Sequence, residues 1–346
     1  MTDEIHISSA ADNAFFPGLL VCLHSALVHL DRSFVPVLHV LDGGISDLNF
    51  ERLQRVLTEC NSQVKIIRHT VDLQDFSNFR IGIGHTSPMS YVRLLLPSLV
   101  RGERVIYLDS DILIGCDFAE LWRAPFKRGC LLKVVQDKGI RSLRGDCPWA
   151  CSEEDLQGPY FNSGVMVIDL DAWRDEQVAE RTIELIHEDP TLCKLWDQTA
   201  LNYILRGRAE LLPECWNTPT IRVDSSDFVL SGVNYHYMTS FKPWLGKRPF
   251  APYLFYKLWF ERLAAKWGHE PEPLDYFSDK NVLSRAQMIH DWIKKYFYVV
   301  IRRHKGLKNC RKRSNRHQAS LAQHAAFELE QPELEVQIRD YLVNIT

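Results

Sequence analysis

Short apolar runs alternate with amphipathic stretches along the first 110 residues. Aliphatic and β-branched side chains fill the runs 5–10, 34–41, 64–67 and 104–108, which predicts four buried strands. The stretches after the first two strands carry apolar residues at helical spacing, and Ser46 is the predicted N-cap of the second helix. Strands and helices that alternate in this way form parallel sheets with right-handed crossovers, so we expect a Rossmann-like α/β fold with a mostly parallel sheet.

The remaining chain continues the alternation and then becomes helical. We predict helices at 88–96, 172–188 and 196–206, a strand at 161–170, and short mixed strands between 207 and 236. From residue 250 the chain is rich in aromatic residues at helical spacing. No repeats or low-complexity linkers interrupt it, so we expect one catalytic domain at 1–265 and a helical, basic C-terminal segment at 266–346.

Composition and cysteine usage indicate a cytoplasmic protein. The nine cysteines are scattered without CxxC pairs or zinc-site spacing, and Cys147 and Cys151 are the only close pair in the sequence. The first residues lack the pattern of a signal peptide, and no apolar stretch is long enough to span a bilayer. We therefore expect a reducing compartment and a sizeable globular core.

Charge is distributed unevenly. Residues 294–316 contain ten Lys/Arg and no Asp/Glu. The net charge of the whole chain is −3, so the net charge of the other residues is −13. Apolar residues at helical spacing precede and overlap this block at 289–300, a pattern typical of an interfacial helix. We expect an anionic membrane surface as a partner, at the inner face of the plasma membrane, and no nucleic acid because the remaining body is acidic. A helix packed on the catalytic domain, with a basic tail, is the alternative.

Two acidic residues end the fourth predicted strand. Asp109 and Asp111 are separated by one residue, so on extended chain their carboxylates point the same way and can share one hard cation. Open α/β sheets bind ligands at this edge, and Mg²⁺ or Mn²⁺ commonly keeps positions open there for phosphates. The alternative is a strand that simply ends in an Asp-rich turn.

Other candidate residues also lie at predicted strand ends or helix starts. Asp12 and Asn13 follow the first strand, Asn162 opens a later strand with a glycine two residues on, and Asp197 begins a helix. His236 stands at the end of a short apolar stretch. Each also has a structural interpretation, as a cap, a turn or a buried histidine.

Taken together, these residues belong to a recognisable pattern. The chain resembles glycosyltransferase family 8, the retaining, metal-dependent sugar transferases that include bacterial lipopolysaccharide glucosyl- and galactosyltransferases. The matching pieces keep the family's order: ADN (11–13), HVLDGGIS (39–46), YVRL (91–94), YLDSD (107–111), YFNSGVM (160–166), DQTALN (197–202), and His236 followed by KPW (242–244). A DxD motif alone is weak, but seven ordered pieces are specific.

The resemblance implies a single-domain nucleotide-sugar transferase of the GT-A type that uses a UDP-hexose, glucose or galactose, as donor. Asp109, Asp111 and His236 would bind Mn²⁺ or Mg²⁺, which bridges the diphosphate. Asp12 and Asn13 would contact uracil and ribose. The acceptor would be a saccharide or glycolipid in lipopolysaccharide or cell-surface glycan synthesis.

The resemblance also assigns residues around the donor sugar. Arg93, Asp137 and Asn162 would hold the sugar and diphosphate, and Asp197 would bind a donor hydroxyl. Gln198 would lie on the β face of the anomeric carbon. Whether the acceptor attacks on the face from which UDP departs or a covalent intermediate forms is left open.

Two further residues are expected beside the diphosphate. Ser110 lies within the DxD motif, and Lys242 would contact the phosphates. The chain departs from the family pattern at residues 239–241, where Thr-Ser-Phe replaces the usual glycine, so the loop over the diphosphate is expected to differ.

Two other functions share parts of this pattern. A nucleotidyltransferase would have the same sheet and acidic pair, but it would usually carry a Gly/Lys-rich phosphate loop after the first strand, and residues 11–15 have none. A non-catalytic sugar-nucleotide-binding protein would be expected to have lost metal ligands, and all three are present.

Overall fold

The computed structural model describes residues 3–79, 88–223, 227–239, 242–245, 251–267 and 332–345. The described chain divides into two compact units, the first from 1–220 and 231–240, the second from the described parts of 221–230 and 241–346. The expected domain boundary at 265 stays a prediction. The basic block 294–316 and the apolar stretch 289–300 lie outside the described residues.

The first unit is built on a seven-stranded sheet in the order β3-β2-β1-β4-β7-β6-β8, beside a three-stranded sheet in the order β5-β10-β9. The strands are β1 (Asp3–Ala11), β2 (Phe34–Asp42), β3 (Lys65–Thr70), β4 (Arg104–Asp109), β5 (Ile112–Leu113), β6 (Leu132–Gln136), β7 (Phe161–Asp169), β8 (Ala209–Leu212), β9 (Thr218–Pro219) and β10 (Tyr235–His236). The large sheet is mostly parallel, as predicted, but β7 runs antiparallel to both β4 and β6.

The helices of the described chain are α1 (Phe16–His29), α2 (Asp47–Cys60), α3 (Leu96–Leu99), α4 (Ala119–Arg123), α5 (Glu153–Gln157), α6 (Leu170–Asp175), α7 (Val178–Glu188), α8 (Asp197–Ile204), α9 (Ala251–Ala264) and α10 (332–345). Short 3₁₀ helices lie at Asn13–Phe15, Leu73–Phe76, Pro88–Leu95, Leu143–Gly145, Pro190–Leu192, Glu214–Trp216, Thr220–Arg222, Pro243–Leu245 and Ala265–Trp267. No described helix combines the length and the apolar character needed to cross a bilayer.

Two predicted helices differ in the structure. The helix expected at 88–96 is 3₁₀ from Pro88 to Leu95 and continues as the single-turn α3. The helix expected at 172–188 is two helices, α6 and α7, because Gln177 takes a left-handed conformation with φ of 50° between them. Apolar spacing is nearly the same in these alternatives, so it does not distinguish them.

Local signals explain the first two helices. α1 is buried at every position from Phe16 to Leu27, as expected of a helix that is apolar all round. α2 has one apolar face, and the Ser46 side chain caps it by accepting a hydrogen bond from the Asn49 amide at 3.3 Å. The predicted N-cap is thereby confirmed.

Strand register brings the candidate residues to one edge. β1 and β4 are parallel with Ala10 opposite Asp109, so the residues that follow each strand emerge at the same edge. Because β7 is antiparallel to β4, with Val165 opposite Leu108, its first residues meet the carboxyl end of β4. Residues 161–164 therefore join the ligand-binding edge of the parallel strands.

The small sheet places His236 beside the acidic pair. His236 in β10 pairs with Ile112 in β5, the strand that directly follows Asp111. The Tyr237 amide then donates to the Asp111 carbonyl at 2.9 Å. These backbone bonds fix the histidine next to the acids although 124 residues separate it from Ile112 in sequence.

The second unit centres on α9, whose buried face is aromatic. Phe255 lies edge-on to Phe228 at 5.6 Å and to Trp259 at 5.5 Å between ring centroids. Tyr341 in α10 contacts Phe255 at 5.9 Å. The expected helical C-terminal segment is therefore present where the structure describes it.

Candidate active site

Asp109, Asp111 and His236 form a cluster of potential metal ligands. Each offers one ligand atom, and these atoms all lie within 4.8 Å of one another. His236 Nε2 is 3.2 Å from Asp111 Oδ1 and 3.7 Å from Asp109 Oδ2. His236 and Asp111 are buried, whereas Asp109 is partly exposed, so the cluster is open on the side of Asp109.

Hydrogen bonds orient the His236 ring toward the two acids. Asn217 Nδ2 donates to Asn162 Oδ1 at 2.7 Å, which leaves Asn217 Oδ1 facing His236 Nδ1 at 2.8 Å. Asn217 Oδ1 can therefore accept from Nδ1, which leaves Nε2, the nitrogen that faces the carboxylates, as the atom available to a metal. Two carboxylate oxygens and one imidazole nitrogen converge, a donor set suited to Mn²⁺ or Mg²⁺.

Gly164 leaves the space that this cluster occupies. A Cβ at this position would lie 2.4 Å from His236 Cε1 and 2.9 Å from Asp109 Oδ2. Such distances are far below van der Waals contact, so only glycine lets the β7 backbone pass this close to the ring and the carboxylate. Gly164 is the glycine that follows Asn162 by two residues, and it allows this close backbone approach.

Arg93 links the acidic pair to α8. Its guanidinium donates to Asp109 Oδ1 at 2.8 Å and to the Ser163 carbonyl at 2.5 Å, and its Nε lies 3.2 Å from Asp197 Oδ2. Burial alone would lower the pKa of Arg93, but Asp109 and Asp197 raise it above its ordinary value. Arg93 is thus a permanent buried cation that offsets part of the negative charge of the acids.

Tyr107 supports both members of this ion pair. The Arg93 guanidinium lies over the Tyr107 ring at 4.6 Å, and the Tyr107 hydroxyl donates to Asp109 Oδ1 at 3.1 Å. Burial, together with the Asp109 charge, raises the pKa of Tyr107. The hydroxyl therefore stays protonated as a donor to the carboxylate.

Asp197 has a buried oxygen with no hydrogen-bond donor. Its Oδ2 is near Arg93, but the Arg93 Nε hydrogen is directed at the Ser90 carbonyl, 2.9 Å away. Burial raises the pKa of Asp197 to about 6, although Arg93 lowers it. Trp196 before it has φ of 55°, a strained value that sets the direction of the first turn of α8. Asp197 Oδ2 therefore lies beside the Arg93 cation and accepts no hydrogen bond from the described residues.

Asp137, Asn162 and Gln198 form one hydrogen-bonded network. Asp137 Oδ2 accepts from Gln198 Nε2 at 3.3 Å and from Asn162 Nδ2 at 3.4 Å. The other end of the Gln198 carboxamide accepts from the Ser163 amide at 3.0 Å. Asp137 Oδ1 accepts from the amides of Gly139 and Ile140 at 2.7 and 2.9 Å, so this carboxylate is itself fixed. Gln198 is held at both ends in one orientation.

Asp12 and Asn13 follow β1 at the same edge, where their side chains also have structural partners. Asp12 Oδ1 accepts from the Phe15 amide at 3.0 Å and caps the 3₁₀ turn. Asn13 Oδ1 accepts from the Ser46 amide at 3.1 Å and from Asn49 Nδ2 at 2.9 Å. The capping interpretation of Asp12 is correct for this structure, and contact with a nucleotide stays a prediction.

Ser110 and Lys242 are both buried. Ser110 lies between the two acids of the cluster, in the turn after β4. Lys242 belongs to the second unit, so its expected contact with phosphates stays a prediction. Of the replaced stretch 239–241, residues 240 and 241 lie outside the described residues.

Sequence reasoning missed two residues of the site. Tyr107 is in the DxD piece, but its position in a buried strand suggested only core packing. Asn217 lies in an irregular stretch with no periodicity, and no signal in the sequence pointed to it. Both act through a neighbour, Tyr107 on Asp109 and Asn217 on His236.

Two bacterial relatives match the chain over most of its length. The lipopolysaccharide 1,2-glucosyltransferase of Escherichia coli K12 is 23% identical over 316 residues, which cover 87% of this chain and 86% of that protein. General stress protein A of Bacillus subtilis is 30% identical over 227 residues, 63% of this chain and 75% of the relative.

Solved structures show the same fold. The galactosyltransferase LgtC, crystallised with donor and acceptor sugar analogues, superposes with a TM-score of 0.62 at 23% identity, covering 78% of this chain and 99% of LgtC. An active-site mutant of LgtC gives a TM-score of 0.64 at 23% identity, with 79% and 99% covered. The predicted GT-A-like fold is confirmed.

A family model that matches most of the chain identifies the family. The profile of glycosyl transferase family 8 matches residues 6–248, a span that contains every candidate residue from Asp12 to Lys242. The predicted resemblance is thereby confirmed, and the chain belongs to glycosyl transferase family 8.

Proposed function

We propose that this glycosyltransferase moves a hexose, glucose or galactose, from a UDP-sugar to a saccharide or glycolipid acceptor, with retention and with a divalent cation. The observation that carries the proposal is the convergence of Asp109, Asp111 and His236 in the space left by Gly164. Glycosyl transfer is preferred over nucleotidyl transfer because the chain belongs to a family of glycosyltransferases.

The metal would be held by Asp109, Asp111 and His236. When bound, Mn²⁺ or Mg²⁺ would neutralise the charge that develops on the diphosphate leaving group. Arg93 remains a cation beside these ligands and keeps Asp109 in place through its hydrogen bond. Ser110 and Lys242 would add contacts to the phosphates, and Asp12 and Asn13 would bind the ribose and uracil at the end of β1.

The donor sugar would lie against α8. Asp197, with its unsatisfied buried oxygen, would accept a hydrogen bond from a sugar hydroxyl. Gln198 would face the anomeric carbon as a fixed dipole, because Asp137 and Ser163 hold both ends of its carboxamide. A carboxamide does not ionise at neutral pH and is neither a general acid nor a general base there, so Gln198 would stabilise charge or position the sugar, together with Asn162.

The test is a donor screen with metal control. UDP release by the full chain should be measured with UDP-Glc, UDP-Gal, UDP-GlcNAc and UDP-GlcA, each with Mn²⁺, with Mg²⁺ and with EDTA. We expect hydrolysis of one hexose donor that requires the metal. Absence of UDP release with every donor, or full activity in excess EDTA, would contradict the proposal.

Replacement of one ligand gives the matching mutational test. Asp111→Asn keeps the volume of the side chain and removes its charge, so turnover should be lost while Tm stays nearly unchanged. Asp171→Asn, an exposed change at the opposite edge of the sheet, is the matched control and should keep full activity. An active Asp111→Asn variant would show that this carboxylate is not a metal ligand.

The proposals for the acceptor and for the location of the enzyme are based on the sequence. Variable loops at 139–158 and 206–231 would contact the acceptor. The basic block 294–316, with the apolar stretch before it, would dock the enzyme on an anionic membrane at the inner face of the plasma membrane, where a glycolipid acceptor would lie. This location suits a cytoplasmic enzyme of lipopolysaccharide or cell-surface glycan synthesis.

A further inference from the structure

Two thiols lie in contact in the loop between β6 and β7. Cys147 Sγ and Cys151 Sγ are 3.3 Å apart, and both residues are free cysteines that are partly exposed. The Cys147 thiol also donates to the Trp149 carbonyl at 3.4 Å, so the chain turns back on itself between the two sulfurs. Neither cysteine is among the residues proposed to hold the metal or the donor sugar.

The loop is anchored to α8 on both sides of Cys147. Asp146 Oδ2 accepts from Thr199 Oγ1 at 2.7 Å and from the Tyr160 hydroxyl at 2.8 Å. The Trp149 ring packs on Tyr203 with 5.0 Å between centroids. These contacts hold the two sulfurs together in the reduced protein, so little conformational entropy opposes a bond between them.

A shared metal does not explain the pair. Among the described His, Cys, Asp and Glu side chains, the one group of three or more that could hold a metal is Asp109, Asp111 and His236, which contains neither cysteine. A disulfide needs the two sulfurs to approach by about 1.3 Å from the observed separation. Two partly exposed thiols are also accessible to a small oxidant, unlike the buried Cys22 and Cys193.

We propose that Cys147 and Cys151 are a redox modification site that forms a reversible intraloop disulfide, a staple across residues 147–151 in the loop that contacts α8. The oxidant is a low-molecular-weight disulfide such as glutathione disulfide. One cysteine thiolate attacks a glutathione sulfur and releases the first glutathione. The second cysteine then attacks the protein sulfur of the mixed disulfide and releases the second glutathione. The cysteines are oxidised, glutathione is reduced, and the two protons lost by the cysteines end on the two glutathione thiols.

The expected behaviour is that of a switch rather than a structural bridge. In a reducing compartment protein disulfides are transient and respond to the redox state. The staple would enclose Trp149 and restrain the loop that contacts α8, whose first turn carries Asp197 and Gln198. Burial raises the pKa of Cys147 to about 11, which keeps that thiol protonated at neutral pH and slows adventitious oxidation.

Peptide mapping of the full chain tests the proposal directly. Trypsin cleaves after Arg144 and Arg174, and the peptide between them contains Cys147 and Cys151 and no other cysteine. The protein is exchanged with glutathione disulfide at about pH 8.5, because this pH favours the thiolate, and is then treated with a thiol-blocking reagent and digested without reductant. The peptide should be lighter than its reduced, unblocked form by two hydrogens, about 2 Da. Reduction should restore two alkylatable thiols. The measurement does not depend on glycosyl transfer, so its outcome is separate from that of the proposed function.

Two variants define the outcome. Cys147→Ser should prevent the loss of two hydrogens and leave a glutathione adduct on Cys151. Cys130→Ser, which removes another partly exposed cysteine, should leave the disulfide unaffected. A glutathione adduct on Cys130 shows that the oxidant has reacted with the sample. The proposal is overturned if, in such a sample, the wild-type peptide keeps both thiols or carries only glutathione adducts.

Discussion

A single methyl group added at Gly164 should strongly weaken metal binding. The Cβ of Gly164→Ala would lie 2.4 Å from His236 Cε1, whereas ordinary contact begins near 3.4 Å. The ring or the β7 backbone must therefore move by about 1 Å, and metal sites tolerate ligand displacements of only about 0.2 Å. His236 has little freedom to yield, because Asn217 holds Nδ1 and β10 fixes its backbone.

Two magnitudes follow for Gly164→Ala. Overpacking of a tight site costs about 1–3 kcal/mol of stability, so the variant should fold with a lower Tm. Loss of an orienting neighbour alone weakens metal binding by about 10–100-fold. A displaced ligand should exceed that range, so we expect Mn²⁺ binding at least about 100-fold weaker, or about 2.8 kcal/mol.

The assay is a titration of metal-free protein with Mn²⁺, followed by the electron paramagnetic resonance of the free ion, with Tm measured in parallel. Gly102→Ala is the matched control. Its Cβ would meet His6 Nε2 at 3.7 Å, an ordinary contact, and it lies before β4 at the opposite edge. If Gly164→Ala folds and binds Mn²⁺ within threefold of wild type, the assignment of this space to the metal site is refuted.

Three further predictions address charge, stereochemistry and location. The pKa of Asp197 is raised to about 6 from 3.8, so folding disfavours its ionised form. As pH rises from 4 to 7, the free energy of unfolding of metal-free wild type should therefore fall by up to about 3 kcal/mol relative to that of Asp197→Asn, as measured by urea unfolding. A difference that is flat with pH would contradict the shift. An α-linked donor should give an α-linked product by proton NMR, and a β product would overturn retention. The full chain should float with anionic but not neutral vesicles, and neutralising Lys294, Lys295, Arg302 and Arg303 with Gln should abolish this; equal recovery on both vesicles would end the membrane proposal.

The elements that the sequence predicted well are those defined by continuous burial. β1, β2 and β4 are apolar runs with both faces covered, and α1 is apolar all round, so their patterns leave little choice of structure. Asp109 and Asp111 were placed correctly at the end of β4 for the same reason, because the run stops at the first acid. Ser46 needed only local capping chemistry.

The features that the sequence did not reveal depend on tertiary contacts. A central strand buried on both faces has the same composition in either direction, so the reversal of β7 is invisible to its apolar pattern. The break between α6 and α7 occurs at Gln177, which has a positive φ. Positive φ is uncommon for residues other than glycine, so a glutamine gives no sequence signal for it. Asn217 reaches His236 only because β9 pairs with β10 directly beside it.

The reversal of β7 is also what connects the two halves of the site. Because β7 starts at the carboxyl end of β4, Asn162 lies between the cluster of potential metal ligands and α8. Its side-chain carboxamide forms hydrogen bonds toward both. Its Oδ1 accepts from Asn217, which orients His236, and its Nδ2 donates to Asp137, which holds Gln198. A parallel strand would begin at the opposite edge and leave these groups unconnected. The orientation of a proposed metal ligand and that of the residue expected at the anomeric carbon thus depend on one buried carboxamide.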